Sequence, residues 1–213
     1  MRMRSFFTYD YLKRSFDILF SVCGIMVFFL PIFILGIIIR SSSRGTFFHK
    51  ASRIGKNEKP FVMLKLRTMN GNAPVRSFEA LKKPEKFYVR FGKALRQSGI
   101  DELPQLINIL KGEMSFVGPR PTLFDQKDLI DLREVNNIYS VKPGLTGYAQ
   151  INGRTKLTPS SKVKFDKYYL DNVSFMLDMK ILFKTIPSIY KDLSSAEHKN
   201  GKLLVKENNI DNV

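Results

Sequence analysis

The chain opens on a polar, basic stretch and then runs from Ile18 to Ile39 without one charged residue. At about 1.5 Å of rise per residue, such a run is long enough to cross a hydrocarbon core of roughly 30 Å. A signal peptide has a shorter apolar part, about 7 to 15 residues, and no small-x-small cleavage site precedes Arg40. Two features complicate a simple crossing. Pro31 sits inside the run, where it removes a backbone hydrogen bond and kinks or breaks a helix. Basic residues flank both ends, Arg2, Arg4, Lys13 and Arg14 before and Arg40, Arg44, Lys50 and Arg53 after, so the positive-inside tendency draws both toward the cytoplasm. The segment is therefore either a hairpin-like re-entrant dip or a kinked spanning helix.

Past this run the pattern shortens. From His49 to Thr68 brief apolar runs are broken by Gly55 and Pro60, with Phe61 to Leu64 predicted as a strand. Asn70 to Pro84 is polar and turn-rich, a loop. Phe87 to Leu95 and Leu103 to Leu110 are predicted helices, the second closed by a cation and a glycine, Lys111-Gly112. Val141 to Gly153, with Pro143, Gly144, Gly147 and Gly153, suits loops and short strands. Lys164 to Tyr190 interleaves aromatic residues with lysines, the pattern of a helix at lipid headgroup level or of an amphipathic core helix with solvated lysines. After Asp192 the tail is polar.

Length and composition narrow the class. The 213 residues suit one domain plus an anchor, and 35 Lys and Arg against 19 Asp and Glu leave a charge of +16, which calls for a polyanionic partner. Charge alone does not choose among nucleic acid, anionic lipid and a phosphorylated substrate. Cys23 is the one cysteine and His49 and His198 the two histidines. An intramolecular disulfide and a multi-cysteine zinc site are thereby excluded, while a hard cation on oxygen ligands stays open.

The richest segment for chemistry is Arg96-Gln97-Ser98-Gly99-Ile100-Asp101-Glu102-Leu103-Pro104, a carboxylate pair just ahead of a helix expected to start near Pro104. Two readings fit it. Asp101 caps the helix and Glu102 complements its dipole, or a carboxylate held among cations stays ionised beside a phosphate and acts as a nucleophile. Adjacent residues do not share a helix face, so Asp101 and Glu102 should differ in role. Downstream, Pro119-Arg120-Pro121 presents one arginine on a stiff loop, suited to a bidentate phosphate contact. Lys65, Arg67, Arg96 and Arg154 are further cations available to the same anion. There is no Walker-type glycine loop, no G-x-S-x-G and no Rossmann fingerprint.

Taken together, Lys65-Leu66-Arg67-Thr68-Met69, Ile100 to Leu106, Leu110 to Pro121 and Lys142-Pro143-Gly144-Leu145-Thr146-Gly147 resemble the bacterial sugar transferase family, the monotopic phosphoglycosyl transferases. The resemblance runs in order from about Lys13 to about Pro187. It departs at Leu30, where the family often has Ser before the proline, and at Tyr148, where it often has Trp. By this resemblance Asp101 is the nucleophile, Glu102 its partner and Pro119-Arg120-Pro121 the phosphate-binding loop, with Mg2+ as cofactor and Asp101 and Glu102 as its ligands. It also implies that the apolar segment re-enters the cytoplasmic leaflet.

The expected protein is α+β, mostly helical and monotopic: a re-entrant anchor over 1–40 broken at Pro31, a catalytic domain over 41–192 with interfacial helices, and a polar tail over 193–213. It would sit on the cytoplasmic face of the bacterial inner membrane and move a sugar-1-phosphate from a UDP-sugar to polyprenyl phosphate through an aspartyl phosphosugar. Its partners would be those two substrates and anionic lipids, not nucleic acid; a homodimer stays open. The rival class is a non-catalytic basic protein that binds anionic membranes or nucleic acid, which explains the charge but not the carboxylate pair.

Overall fold

The computed structural model describes residues 2–71, 84–153 and 157–187. Most of the loop expected at Asn70 to Pro84, Arg154, and the end of the chain from 188, including the polar tail, lie outside the described residues. Helix α1 takes Arg2–Ser42. A hairpin of β1 (Phe48–Ile54) and β2 (Pro60–Leu66) follows, then short helices α2 (Gly92–Ser98) and α3 (Gln105–Lys111). A two-stranded parallel pair, β3 (Ser115–Val117) with β4 (Gly144–Thr146), brackets α4 (Lys127–Val135). Then come α5 (Tyr148–Ile151), α6 (Pro159–Asp171) and α7 (175–187). The expected α+β, mostly helical class is what is observed.

Three expectations are corrected. Helix α1 is assigned through Pro31 without interruption, because a single proline forfeits one backbone hydrogen bond and a long helix can absorb that loss as a kink. The helix expected at Phe87 to Leu95 begins only at Gly92, since the chain before it pairs with the segment that follows β2: Asn70 N–H donates to Phe87 O and Val89 N–H to Thr68 O. That segment approaches so closely that a Cβ on Gly92 would lie 2.2 Å from Thr68 O. The helix expected at Lys164 to Tyr190 is two, α6 and α7. Asn172 ends the first, with its side-chain amide on Tyr168 O, and Ser174 Oγ accepts from Leu177 N–H at the start of the second.

Tyr9–Ser42 is the one helix among the described residues long and apolar enough to cross a membrane. One side of it is bare, with Met26 and Val27 67% exposed. The other side packs along the rest of the chain. Near its start, Arg14 donates from both terminal nitrogens to the carbonyls of Ile109 (2.7 Å) and Leu110 (2.8 Å), the open C-terminus of α3. One turn on, Asp17 accepts from Ser115 Oγ (3.0 Å) and Phe116 N–H (3.1 Å). At its far end Ile39 is fully buried with Leu66, Val89 and Leu95.

The hairpin lies between these contacts. In its antiparallel register Arg53 faces Phe61, Ala51 faces Met63 and His49 faces Lys65. Directly paired residues share a sheet face. On that face Phe61 and Met63 pack on Leu106 and Ile109 of α3, while on the opposite face Leu66 and Phe48 pack toward the end of α1. Asn108 pins α3 to β2: its side chain accepts from Leu64 N–H (3.0 Å) and donates to Val62 O (2.7 Å).

Arg14→Met should remove two hydrogen bonds at the end of α3, leaving the Leu110 carbonyl without its donor and the Ile109 carbonyl with Gly112 N–H alone. The expected loss is about 2 kcal/mol, or a thermal midpoint lower by about 4 to 8 °C in detergent. An unchanged midpoint would remove this contact from the forces that dock α1.

Candidate active site

The carboxylate pair occupies a 3-10 turn, Ile100–Glu102, opened by Gly99 in the left-handed region at φ 74°. Helix α3 starts after it with Pro104 as the N-cap residue, and no side chain caps it. Capping is therefore not what Asp101 does here.

Glu102 gathers the site. Its Oε1 accepts from Lys65 Nζ at 2.6 Å and from Arg120 Nη2 at 2.8 Å. One oxygen thus joins β2, the carboxylate turn and the loop after β3. Burial alone would raise Glu102, but Arg120 and Lys65 outweigh it and hold the carboxyl well below the usual range. Asp101 lies in the opposite circumstance. It is 4% exposed, and among the described residues none donates a hydrogen bond to it. Burial, with help from the neighbouring Glu102 charge, pushes it up to about 6 against the pull of Lys65, Arg96 and Arg120. Two adjacent carboxylates are thereby pushed apart in acidity, the arrangement that separates a reacting group from a supporting one.

The arginine loop is held from both sides. Gly118 N–H donates to Thr146 O and Gly144 N–H to Pro119 O, each at 2.9 Å, extending the β3–β4 pairing into the loop. Contact here is so close that a Cβ on Gly144 would sit 2.1 Å from Gly118 N, so only glycine fits. From beneath, Arg133 of α4 donates to Arg120 O at 2.7 Å and to Thr122 Oγ1, and is itself held by Asp166 of α6 at 2.6 Å. Both members of that pair are buried. Pro119 and Pro121 flank Arg120 in this frame, as their fixed φ angles anticipate.

Lys65, Arg96, Asp101, Glu102 and Arg120 are therefore brought together. Arg67 is not: its guanidinium donates to the carbonyls of Ile39, Ser43 and Arg44 and closes the end of α1. Pro31 lies in the apolar part of α1. Sequence reading missed Arg133, Asp166 and Asn108, whose partners are far along the chain. The one signal was Asn108, a polar residue inside the apolar run of α3. No group of three or more acidic, histidine or cysteine side chains suited to a metal occurs among the described residues. Mg2+ needs only one or two carboxylates plus substrate phosphates, and Asp101 with Glu102 fits that donor set.

The bacterial sugar transferase family matches this chain over residues 8–192. The exopolysaccharide production protein ExoY of Sinorhizobium fredii (strain NBRC 101917 / NGR234) is 37% identical over 83% of this chain and 84% of that protein. The UDP-glucose:undecaprenyl-phosphate glucose-1-phosphate transferase of Caulobacter vibrioides (strain ATCC 19089 / CIP 103742 / CB 15) is 34% identical over 84% of this chain and 70% of that protein. A UDP-N-acetylgalactosamine-undecaprenyl-phosphate N-acetylgalactosaminephosphotransferase of Aeromonas hydrophila is 35% identical over 85% of this chain and 44% of that longer protein.

The raised Asp101 carboxyl has a consequence for stability. A carboxyl near 6 in the folded chain and 3.8 ordinarily favours folding in its protonated form; that contribution is present below about pH 4 and lost as pH rises through 6. At pH 7.5 the ionised group costs on the order of 3 kcal/mol. Asp101→Asn should therefore stabilise the protein by about 1 to 3 kcal/mol at pH 7.5 and by little at pH 4, read from unfolding midpoints at both pH values. A destabilised variant at pH 7.5 would refute this account of the site.

Proposed function

The chain belongs to the bacterial sugar transferase family and is a polyprenyl-phosphate sugar-1-phosphate transferase, and from that premise we propose that it works through a covalent phosphosugar on Asp101. In the first half-reaction an Asp101 oxygen attacks the sugar-linked phosphorus of a UDP-sugar, and the bond to the bridging oxygen breaks. UMP leaves with that electron pair. In the second, an oxygen of polyprenyl phosphate attacks the same phosphorus and the carboxylate departs, giving a polyprenyl diphosphate-sugar.

The observation that carries this reading is the split between the two carboxylates. Asp101 is buried, not hydrogen-bonded among the described residues, and ionised at neutral pH with its value near 6, so it is both available and basic enough to attack. Glu102 is committed to Lys65 and Arg120 and fixes both cations beside the reacting phosphate. Arg120 and Lys65 would then bind the phosphate oxygens, with Arg96 behind them. Mg2+, held by Asp101 and Glu102, would offset the charge of the diphosphate when bound. The matched relatives are named for different sugars, glucose and N-acetylgalactosamine, so family membership leaves the sugar open.

We place the site on the cytoplasmic face of the inner membrane. Arg14 and Asp17 before the apolar run, and Ile39 at its end, all contact the same folded body. A helix that crossed the bilayer would carry one end about 30 Å away from it. A re-entrant disposition, with the bare side of α1 in lipid, satisfies the contacts at both ends.

Two measurements test these readings. Enzyme with Mg2+ and a series of UDP-sugars, without acceptor, should release UMP up to one equivalent and gain the mass of a phosphosugar with at least one of them; Asp101→Asn should show neither. UMP release only when acceptor is present, with no adduct, would favour direct transfer. For topology, cysteines at Asp10 and Ser52, with the exposed Cys23 replaced, should react with an impermeant reagent from the same side of sealed vesicles. Labelling from opposite sides would restore a spanning helix.

A further inference from the structure

Arg53 was noted above only as one of the basic residues that flank the apolar run. It ends β1 opposite Phe61, on the sheet face that also carries Lys65 toward Glu102. His49 is the residue directly opposite Lys65, so Arg53 lies four positions further along, about 13 Å. That end of the strand is fastened to the arginine loop, because Ile54 N–H donates to Thr122 O at 3.1 Å. Arg53 thus stands beside Pro119-Arg120-Pro121: Arg120 and Glu102 are among the charges that act on it, whereas those that act on Asp101 are Lys65, Glu102, Arg96 and Arg120.

One of its donors has no partner in the protein. The Nε is buried and has no hydrogen-bond partner, a costly state for a group on a cation. The charges that act on it are Arg120 and Arg96, which repel it, and Asp125 and Glu102, which attract it. Burial, reinforced by Arg120, lowers the guanidinium to about 10. A buried guanidinium with an unmet donor beside a second guanidinium is a combination that an additional anion, such as a phosphate, would satisfy.

The identity of that anion follows from the direction of the reaction. In phosphoryl transfer the attacking and leaving oxygens lie roughly in line through phosphorus. With Asp101 as the attacking group, the leaving oxygen and the second phosphate of a nucleotide diphosphate point away from it, past Glu102 and Arg120. We propose that Arg53, paired with Arg120, binds the nucleotide-side phosphate of the substrate, the group that departs as part of UMP. This assignment rests on the phosphoglycosyl transferase reading. The departing phosphate gains negative charge as the bond breaks, so a fork placed there would contribute to catalysis as well as to binding.

UMP itself is the probe, since its binding requires no chemistry. Titration calorimetry of the detergent-solubilised full chain with UMP in Mg2+ should show affinity at least tenfold weaker in Arg53→Met. Arg53→Lys, which keeps the charge and stem but not the fork, should be weaker by several-fold. A second readout reports the fold: the thermal unfolding midpoint of Arg53→Lys should stay within about 2 °C of wild type, so that weaker UMP binding is a loss at the site itself. Wild-type UMP affinity in Arg53→Lys, or in a folded Arg53→Met, overturns the proposal and leaves the transferase reading standing. UMP affinity that falls in Arg53→Lys only together with a lowered midpoint also overturns it, by showing general damage to the fold. If the wild-type chain does not bind UMP at all, the transferase reading falls and this proposal with it.

Discussion

One oxygen atom, Glu102 Oε1, receives both Lys65 and Arg120. The three groups come from a strand, a 3-10 turn and a loop that share no local sequence. Without Glu102 the two cations would share only Asp101 as a close counter-charge, an unfavourable arrangement for the buried Lys65. With it they are fixed at 2.6 and 2.8 Å, and the positive potential they create falls on the neighbouring Asp101. That potential does not fully offset the burial of Asp101, whose carboxyl stays raised. The site therefore keeps a stabilised carboxylate and a reactive one side by side, and the second is maintained at a cost in stability.

This arrangement needs a rigid surround, and the chain supplies it without one large core. The described apolar contacts divide into four small clusters. Polar connections join them: Asn108 between α3 and β2, Asp17 between α1 and β3, and Arg133 with Asp166 between α4, α6 and the arginine loop. The last is the most consequential for the site, because it sets the backbone of Arg120 rather than its side chain. A buried ion pair offers little net stability over apolar packing, but it specifies one geometry, since either charge left alone is costly.

Much of this was legible in the chain. The apolar run, the strand at Phe61, the helix ended by Lys111-Gly112 and the stiff loop at Arg120 all follow from local patterns. The carboxylate pair was visible too, although one of the two readings that fit it, helix capping, does not hold. What the sequence hid depends on partners far apart. Arg133 and Asp166 are 33 positions apart and look like ordinary charges on amphipathic helices. Gly92 marks a close approach to Thr68, yet a glycine in a helical pattern carries no hint of which backbone comes near. On a chain with charge +16 most cations are uninformative individually, and only register placed Lys65 and Arg53 on the face that meets the dyad.

Lys65 and Arg67 show how far register goes. Two residues apart in an extended chain, they should point the same way, and charge alone gives them equal claim on a phosphate. β2 ends at Leu66, and there they part. Lys65, still in register opposite His49, reaches Glu102, whereas Arg67 turns to the carbonyls of Ile39, Ser43 and Arg44 at the end of α1. Leu66 between them is buried against Ile39. A stretch of three residues thus fastens the apolar helix on one side and the reactive carboxylates on the other. A displacement of the end of α1 would have to move Arg67 and Leu66 first, and Lys65 is bonded in sequence to Leu66. The position of the apolar helix and the geometry of the site are, by this short connection, set together.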